Sequence, residues 1–559
     1  MFQLFRTVDD ALKNVGKLRI KAKECIFTNK NKNNSSEKYI NVDHLSRVTV
    51  PGHWQLQIPG DSPIYTNIKY IIPTEDLPNT PSDNPTGYFY HQFSISKTWI
   101  DRKIILSFGG VDNAFYLWCN DKYVGFSKDS RLPAEFDITH YVRVDESINE
   151  LEIVVVRFSD GYFLEDQDMF NISGIFRDVM IYSVPKPIHI ADFSWRTYID
   201  DNSQVSTVVT TIDLQWDMNS IRNLLDKELS HEASYKSQLK TDWIIACSIY
   251  DEGVLVSSTE SATYHNFVFD SASIEPVAHE FRFAPVPFDS NTDGKVSAKI
   301  KLLLNAPNKW SADKPYVYTL VVTLKNVRDG TLVQAESCRL GFKIVNVSSG
   351  LLRVNHRAIV VRGVNIHEHC PNNGHFVSNE ILETDIKLLK RNNFNAVRTS
   401  HYPQTSWFYE LCTLYGIYVT NEANIETHGM KPYVGRLADD PKWHDAFMLR
   451  LTRMYERDKN HTCIICWSLG NESGYGAIHD IMADWIRKTD PQRIISYEPA
   501  SYGPRDGERS MATDILCPMY ARITDCITLA NMFPDMPLIQ CEYSHMMGNS
   551  GMQYIISIP

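Results

Sequence analysis

The chain has 559 residues, 43% of them apolar, 22% charged and 11% aromatic, a composition of ordinary globular proteins and outside the disordered range. A formal net charge of -11 without a long basic stripe excludes nucleic acid as the expected partner. No segment reaches the run of about 18 apolar residues that spans a bilayer, so no membrane partner is expected either.

This length predicts about three or four domains. Eleven scattered cysteines are an odd number and predict reduced thiols rather than a disulfide framework. Met1 to Asp10 lacks the basic start and apolar run of a secretory leader, and the expected location is cytoplasmic.

Residues 1–185 read as short alternating strands broken by Pro, Gly, Asn and Asp, the pattern of a β-sandwich. Lys103-Ile-Ile-Leu-Ser-Phe and Leu151-Glu-Ile-Val-Val-Val are typical pieces. The Lys/Asn-rich tract at 30–36 reads as a surface loop. Two segments stand out, Pro63-Ile-Tyr-Thr-Asn and the acidic Tyr162-Phe-Leu-Glu-Asp-Gln-Asp-Met. On local grounds the second reads as a solvated turn, since charge runs usually face water.

Residues 186–345 form a second β-rich stretch, entered through Pro185-Lys-Pro and predicted as a smaller immunoglobulin-like sandwich. No cluster of reactive side chains appears there, and it is expected to act as scaffold.

From residue 346 apolar strands alternate with helical patterns. Ala358–Asn365 precedes a helix over 379–392, Phe394–Ser400 one over 406–415, Ile417–Ala423 one over 445–459, and Cys463–Asn471 one over 476–488. Strands at Ile494, Ile515 and Leu538 follow. Repeated βα units predict a parallel sheet and most of a TIM (β/α)₈ barrel over 346–559. The fold class is therefore multidomain β plus α/β: a jelly-roll-like β-sandwich, an immunoglobulin-like β-sandwich and an incomplete TIM barrel.

Cys463 and Cys466 form a lone Cys-x-x-Cys on one strand. Residues three apart there face opposite sides and share no metal. Asn365, His367, His369, Arg398, His401, Glu422, Glu426, His428, Asn471, Glu472, Tyr520, Glu542 and His545 all fall at or just after strand ends. In a barrel of this kind those ends meet on the carboxyl-terminal face, where active sites form. Two carboxylates on different strands, Glu472 and Glu542, suit glycoside hydrolysis. A separation of about 5–5.5 Å makes the second a nucleophile and retains configuration, whereas a wider gap seats water and inverts it.

The motifs Trp467-Ser-Leu-Gly-Asn-Glu-Ser-Gly, Glu422-Ala-Asn-Ile-Glu-Thr-His-Gly, Ser400-His-Tyr-Pro, Arg362-Gly-Val-Asn, Cys517-Pro-Met-Tyr-Ala-Arg and Cys541-Glu-Tyr-Ser-His-Met-Met-Gly-Asn resemble those of glycoside hydrolase family 2, in particular its large bacterial-type β-galactosidases. Pro63-Ile-Tyr-Thr-Asn, Asn84-Pro-Thr-Gly and Leu164-Glu-Asp-Gln-Asp-Met extend the resemblance into the first domain. It implies retaining hydrolysis of terminal β-D-galactosides such as lactose, with Glu472 as acid/base and Glu542 as nucleophile. It also implies Mg²⁺ on Glu426, His428 and Glu472, and Na⁺ on Asp168. Asn67, Asp168, His367, His401, Asn471, Met519, Tyr520 and His545 would contact substrate, which moves the acidic turn to the functional side. The same chemistry on a β-glucuronide or β-mannoside, and a shortened chain with little or no activity, stay open as alternatives. Family members are often homo-oligomers.

Asn421, Ile366 and Cys370 depart from the family's usual residues, none at a principal catalytic position. The tail Gly551 to Pro559 does not follow the family's continuation into an eighth strand with a Trp, the Phe and Asn of the Na⁺ site, and further β domains. About seven of eight βα units are therefore expected.

Overall fold

The computed structural model describes residues 2–5, 46–200, 202, 204–217, 243–260, 267–268, 293–327, 329–430, 437–502 and 510–545. The tract at 30–36 and the tail from Gly551 lie outside the described residues.

The first sandwich packs a five-stranded antiparallel sheet, in the order Phe2–Phe5, Thr86–Ser94, Ile148–Val156, Ala114–Cys119, Lys122–Lys128, over a three-stranded one of Val179–Pro185, Arg102–Phe108 and Ala134–Asp137. Inward residues from both faces, among them Leu106, Phe108, Phe115, Phe136 and Ile153, form one core, as alternating side chains on facing sheets must. The second sandwich pairs two four-stranded sheets. In its strand Val205–Asp217 buried residues alternate with half-buried ones along most of the length, the signature of one face turned to the core.

The third region is built on five consecutive parallel strands: β1 (Gly363–Asn365), β2 (Ala396–Arg398), β3 (Tyr418–Glu422), β4 (Ile464–Ser468) and β5 (Ile494–Ser496). Helices α1 (Asn379–Arg391), α2 (Ser406–Tyr415), α3 (Pro441–Asp458) and α4 (Ala477–Thr489) connect them. All five residues of β4 are buried, because a parallel barrel strand is covered on both faces. Asp440 caps α3 by accepting from Lys442 N, with Pro441 in the first turn. Gly416 ends α2 in the left-handed region at φ 73°, and a Cβ there would collide with the Ala312 carbonyl of the preceding region.

The strands expected at Ile515 and Leu538 are reduced to the parallel bridges Leu516–Leu538 and Met519–Glu542. A fifth helix, α5 (Ile523–Met532), lies between them, and none of its residues is buried. The run expected as one strand over 358–365 is divided. Arg357–Ala358 pairs antiparallel with Leu351–Val354, and only Gly363–Asn365 joins the barrel.

The acidic turn is not solvated. Tyr162 to Gln167 are all buried, and Phe163 and Leu164 belong to the barrel's own core cluster. Its Glu165 is answered by the barrel, with Arg450 Nη1 2.7 Å from Oε1, and beside it Arg453 Nη1 lies 3.2 Å from Oδ2 of Asp129, another first-sandwich acid. A second clasp joins Arg177 to Glu368 through two hydrogen bonds of 3.0 and 2.7 Å. Ions so deeply buried persist only when paired in this way. No helix among the described residues is long and apolar enough to cross a membrane.

Candidate active site

The site lies where β2, β3 and β4 end and the Met519–Glu542 bridge passes. Arg398, the last residue of β2 and 8% exposed, joins these ends. Its Nε donates to Glu422 Oε2 at 2.8 Å, its Nη1 to Glu542 Oε1 at 3.0 Å, and its Nη2 to Asn471 Oδ1 at 2.8 Å. One planar fork therefore fixes three strand ends at once.

Glu422 is fully buried. Burial pushes its carboxyl up, and Arg398 and Ser468 pull against that rise. Ser468 Oγ donates to it at 2.7 Å, and His401 Nδ1 lies 2.8 Å from its other oxygen. Burial, followed by the Arg398 charge, holds His401 well below the usual imidazole range. A neutral His401 thus donates from Nδ1 to Glu422, with Nε2 3.8 Å from Glu542 Oε1.

Desolvation pushes the Glu542 carboxyl up, but the Arg398 charge, helped by hydrogen bonds from Arg398 and Tyr520, outweighs it and leaves Glu542 below the usual carboxylate range. The Tyr520 hydroxyl donates to Glu542 Oε2 and lies 3.1 Å from His545 Nδ1. Its backbone N donates to Glu542 O at 2.7 Å. Met519 is bridged to Glu542, and Asn365 Nδ2 donates to Cys541 O at 3.1 Å.

Glu472 follows β4 in a turn, with φ 31°. Its Oε2 accepts from His428 Nδ1 at 2.8 Å and from Asn471 Nδ2 at 3.4 Å. The Glu472 hydrogen bond raises the His428 imidazole pKa against a smaller opposing effect of burial. Ligand atoms of Glu426, His428 and Glu472 lie within 4.8 Å of one another, the only such group among the described residues. Glu426 is 1% exposed and its Oε2 has no hydrogen-bond partner. Burial and then the Glu472 charge drive its carboxyl well above the usual range. An orphaned buried carboxylate oxygen beside a second carboxylate and an imidazole fits a divalent cation.

The first sandwich reaches the same place. Asp168 Oδ1 accepts from the Tyr65 hydroxyl, and its Oδ2 lies 3.8 Å from His545 Nε2. Asn67 is half-buried just past the strand Ile64–Thr66, which pairs with Met169–Asn171. The His367 ring meets those of His401 and Tyr402 edge to face at 5.4 and 6.1 Å. Asp168 stands outside the three-residue ligand group.

The matches to known proteins agree with this architecture part by part. Residues 23–185 match the sugar binding domain of glycosyl hydrolases family 2, residues 252–343 the family 2 domain that follows it, and residues 345–555 the family 2 TIM barrel domain. The chain belongs to glycosyl hydrolase family 2. Among similar family 2 proteins, the β-galactosidase of Psychromonas ingrahamii is 41% identical over 91% of this chain, and that of Pectobacterium atrosepticum 40% identical over 90%. The chain spans 46% and 45% of their lengths, about half of each relative. Solved structures superpose on it at low identity. A Bacteroides uniformis β-glucuronidase gives a TM-score of 0.67 at 17% identity, covering 90% of this chain and 56% of that one. A Dictyoglomus thermophilum β-D-glucuronidase gives 0.63 at 19%, covering 93% and 82%.

Arg398 and Glu422 were legible only as strand-end polar residues, and nothing in their spacing marks them as the centre of the network. Asp166 was missed. Its one signal is its place in the acidic turn two residues before Asp168.

Proposed function

We propose that this chain carries the catalytic centre of a retaining β-galactosidase that hydrolyses terminal β-D-galactosyl residues, lactose among its substrates. The observation behind this reading is the contrast between two carboxylates. Glu542 is held as an anion by Arg398 and receives the Tyr520 hydroxyl. Glu472 lies instead in a hydrogen bond with His428. Carboxylates placed in unlike environments are how one site obtains a nucleophile and an acid.

In the first step Glu542 attacks the anomeric carbon. The bond to the leaving oxygen breaks, and Glu472 gives that oxygen its proton. In the second step Glu472 takes a proton from water, the water oxygen bonds to the anomeric carbon, and the bond to Glu542 breaks. Tyr520 and Arg398 hold Glu542 in line while charge leaves and returns to it. Glu426, His428 and Glu472 would hold Mg²⁺, whose charge would offset the crowding of two carboxylates and orient Glu472. The choice of galactoside rests on the names of the 40–41% identical relatives and on Asp168 entering from the first sandwich. Asn67, Asp168, His367, His401, Asn471, Met519 and His545 would line the sugar. No step is assigned to Na⁺.

Chromogenic β-galactoside, β-glucuronide and β-mannoside, assayed with wild type, Glu472→Gln and Glu542→Gln, test this reading. The galactoside should be preferred. Glu542→Gln should lose about 10³-fold or more in kcat, roughly the 4 kcal/mol of a forfeited covalent route. Proton NMR should show β-galactose as the first product. Equal rates for Glu542→Gln and wild type would overturn the assignment, and a glucuronide preference would overturn the substrate.

A further inference from the structure

We infer that Asp166, in the buried turn of the first sandwich, is a positioning residue for the cation site, holding the barrel loop that presents Glu426 and His428. This rests on the reading of Glu426, His428 and Glu472 as ligands. The loop leaves β3 and is held by backbone hydrogen bonds on two sides. Toward the first sandwich, Glu426 N donates to Leu164 O at 2.8 Å and Asp166 N donates to Glu426 O at 3.1 Å. Toward β4, Asn471 N donates to Ile425 O at 2.9 Å. Parallel bridges Glu165–Glu426 and Glu426–Asn471 record the same arrangement. A ligand of the site is thus the middle member of three paired segments, one of which comes from a different domain.

The Asp166 side chain then reaches past Glu426 to the other ligand. Its Oδ2 accepts from Gly429 N at 2.6 Å, one residue beyond His428. Independent support comes from the packing at Gly429. A Cβ there would collide with Ile68 O and lie 2.8 Å from Tyr70 Cδ2 and 2.9 Å from Asp166 Oδ2. The loop is pressed against the first sandwich more closely than any side chain permits. Asp166 is 3% exposed, so deleting its acceptor would take from the half-buried Gly429 N–H the buried partner that holds it against the first sandwich.

Its neighbours in the turn have other tasks. Glu165 receives Arg450 and Ser130, Gln167 donates to Asn424, and Asp168 receives Tyr65. Asp166 is the side chain of the turn that takes the Gly429 N–H next to His428, and through it docking of the first sandwich sets the His428 imidazole against Glu426 and Glu472.

Calorimetric titration of the full chain with Mn²⁺ and Mg²⁺ and no substrate tests this, using wild type, Asp166→Ala, Asp166→Asn and Glu426→Gln. Asp166→Ala should raise Kd by about 10–100-fold, and Asp166→Asn, which keeps an acceptor oxygen, should stay within about threefold of wild type. Should Asp166→Ala fail to fold, Gly429→Ala applies the same perturbation from the barrel side and should weaken binding comparably. Asp166→Ala within about threefold of wild type overturns the inference, as does Asp166→Asn binding as weakly as Asp166→Ala. Wild type that binds no divalent cation, or Glu426→Gln binding like wild type, overturns the ligand reading itself and the inference with it.

Discussion

Replacing Arg398 with Met keeps an apolar stem and deletes three hydrogen bonds, to Glu422 at 2.8 Å, Glu542 at 3.0 Å and Asn471 at 2.8 Å. Glu422 is fully buried, so no water replaces the guanidinium, and breaking a buried pair by removing one partner costs about 3–5 kcal/mol. A count by bonds gives the same order, since the two to carboxylates alone, at about 1.5–3 kcal/mol each, give roughly 3–6 kcal/mol. The same change removes the largest force opposing desolvation of Glu542. Glu542 has a depressed folded pKa, so its ionised form adds stability above the unfolded value of 4.5, and that stability is lost as pH falls through the folded pKa. In Arg398→Met the desolvation cost dominates and the pKa rises, which carries the acidic limb of kcat/KM upward. The assay is a pH–rate profile on a β-galactoside, paired with urea unfolding of the barrel. Arg398→Lys should recover little, because a point charge cannot span three acceptors. An unmoved acidic limb with an unchanged unfolding midpoint would refute the network.

Cation binding should depend on pH through His428, whose imidazole pKa is raised by its hydrogen bond to Glu472. The protonated pair stabilises the ion-free fold below the unfolded pKa of 6.5 and loses that contribution as pH rises through the folded value, so cation affinity should climb over the same window. Calorimetry showing flat affinity from about pH 6 to 8 would contradict this. Arg177→Met should loosen the first sandwich from the barrel by about 3–5 kcal/mol, since Glu368 would be left buried with only Arg131 at 3.5 Å. Faster limited proteolysis near residue 185 is the expected readout, and an unchanged cleavage rate would count against the clasp. Gly416→Ala should destabilise by about 1–3 kcal/mol, because a left-handed residue is strained and its Cβ meets Ala312 O. A thermal midpoint equal to wild type would show that α2 ends by another device.

Helix α2 is legible in the sequence because its apolar face and Gly416 are both local. The same holds for β4, whose unbroken apolar run reads directly as a strand covered on both faces. The common address of the strand-end residues follows from topology, and so the gathering of Arg398, Glu422, Asn471 and Glu542 could be expected from the alternation of elements alone. What the alternation could not show is who neutralises whom. The acidic turn looks solvated in isolation because its partners, Asn424, Gly429 and Arg450, lie more than 250 positions away. Helix α5 buries nothing, and the sixth and seventh strands were overdrawn because only single bridges form there. Resemblance to family 2 supplied the roles that spacing left open, while Asp166 became visible only once two domains were seen pressed together at Gly429.

The central claim, that Glu542 is the nucleophile, is tested most directly by covalent trapping. An activated 2-deoxy-2-fluoro-β-galactoside should slow breakdown of the glycosyl-enzyme enough for it to accumulate. Intact mass should then rise by one fluorosugar, and peptide sequencing should place the adduct on Glu542, with none in Glu542→Gln. An adduct on Glu472 or any other residue, or turnover of a β-galactoside by Glu542→Gln at the wild-type rate, would contradict the account.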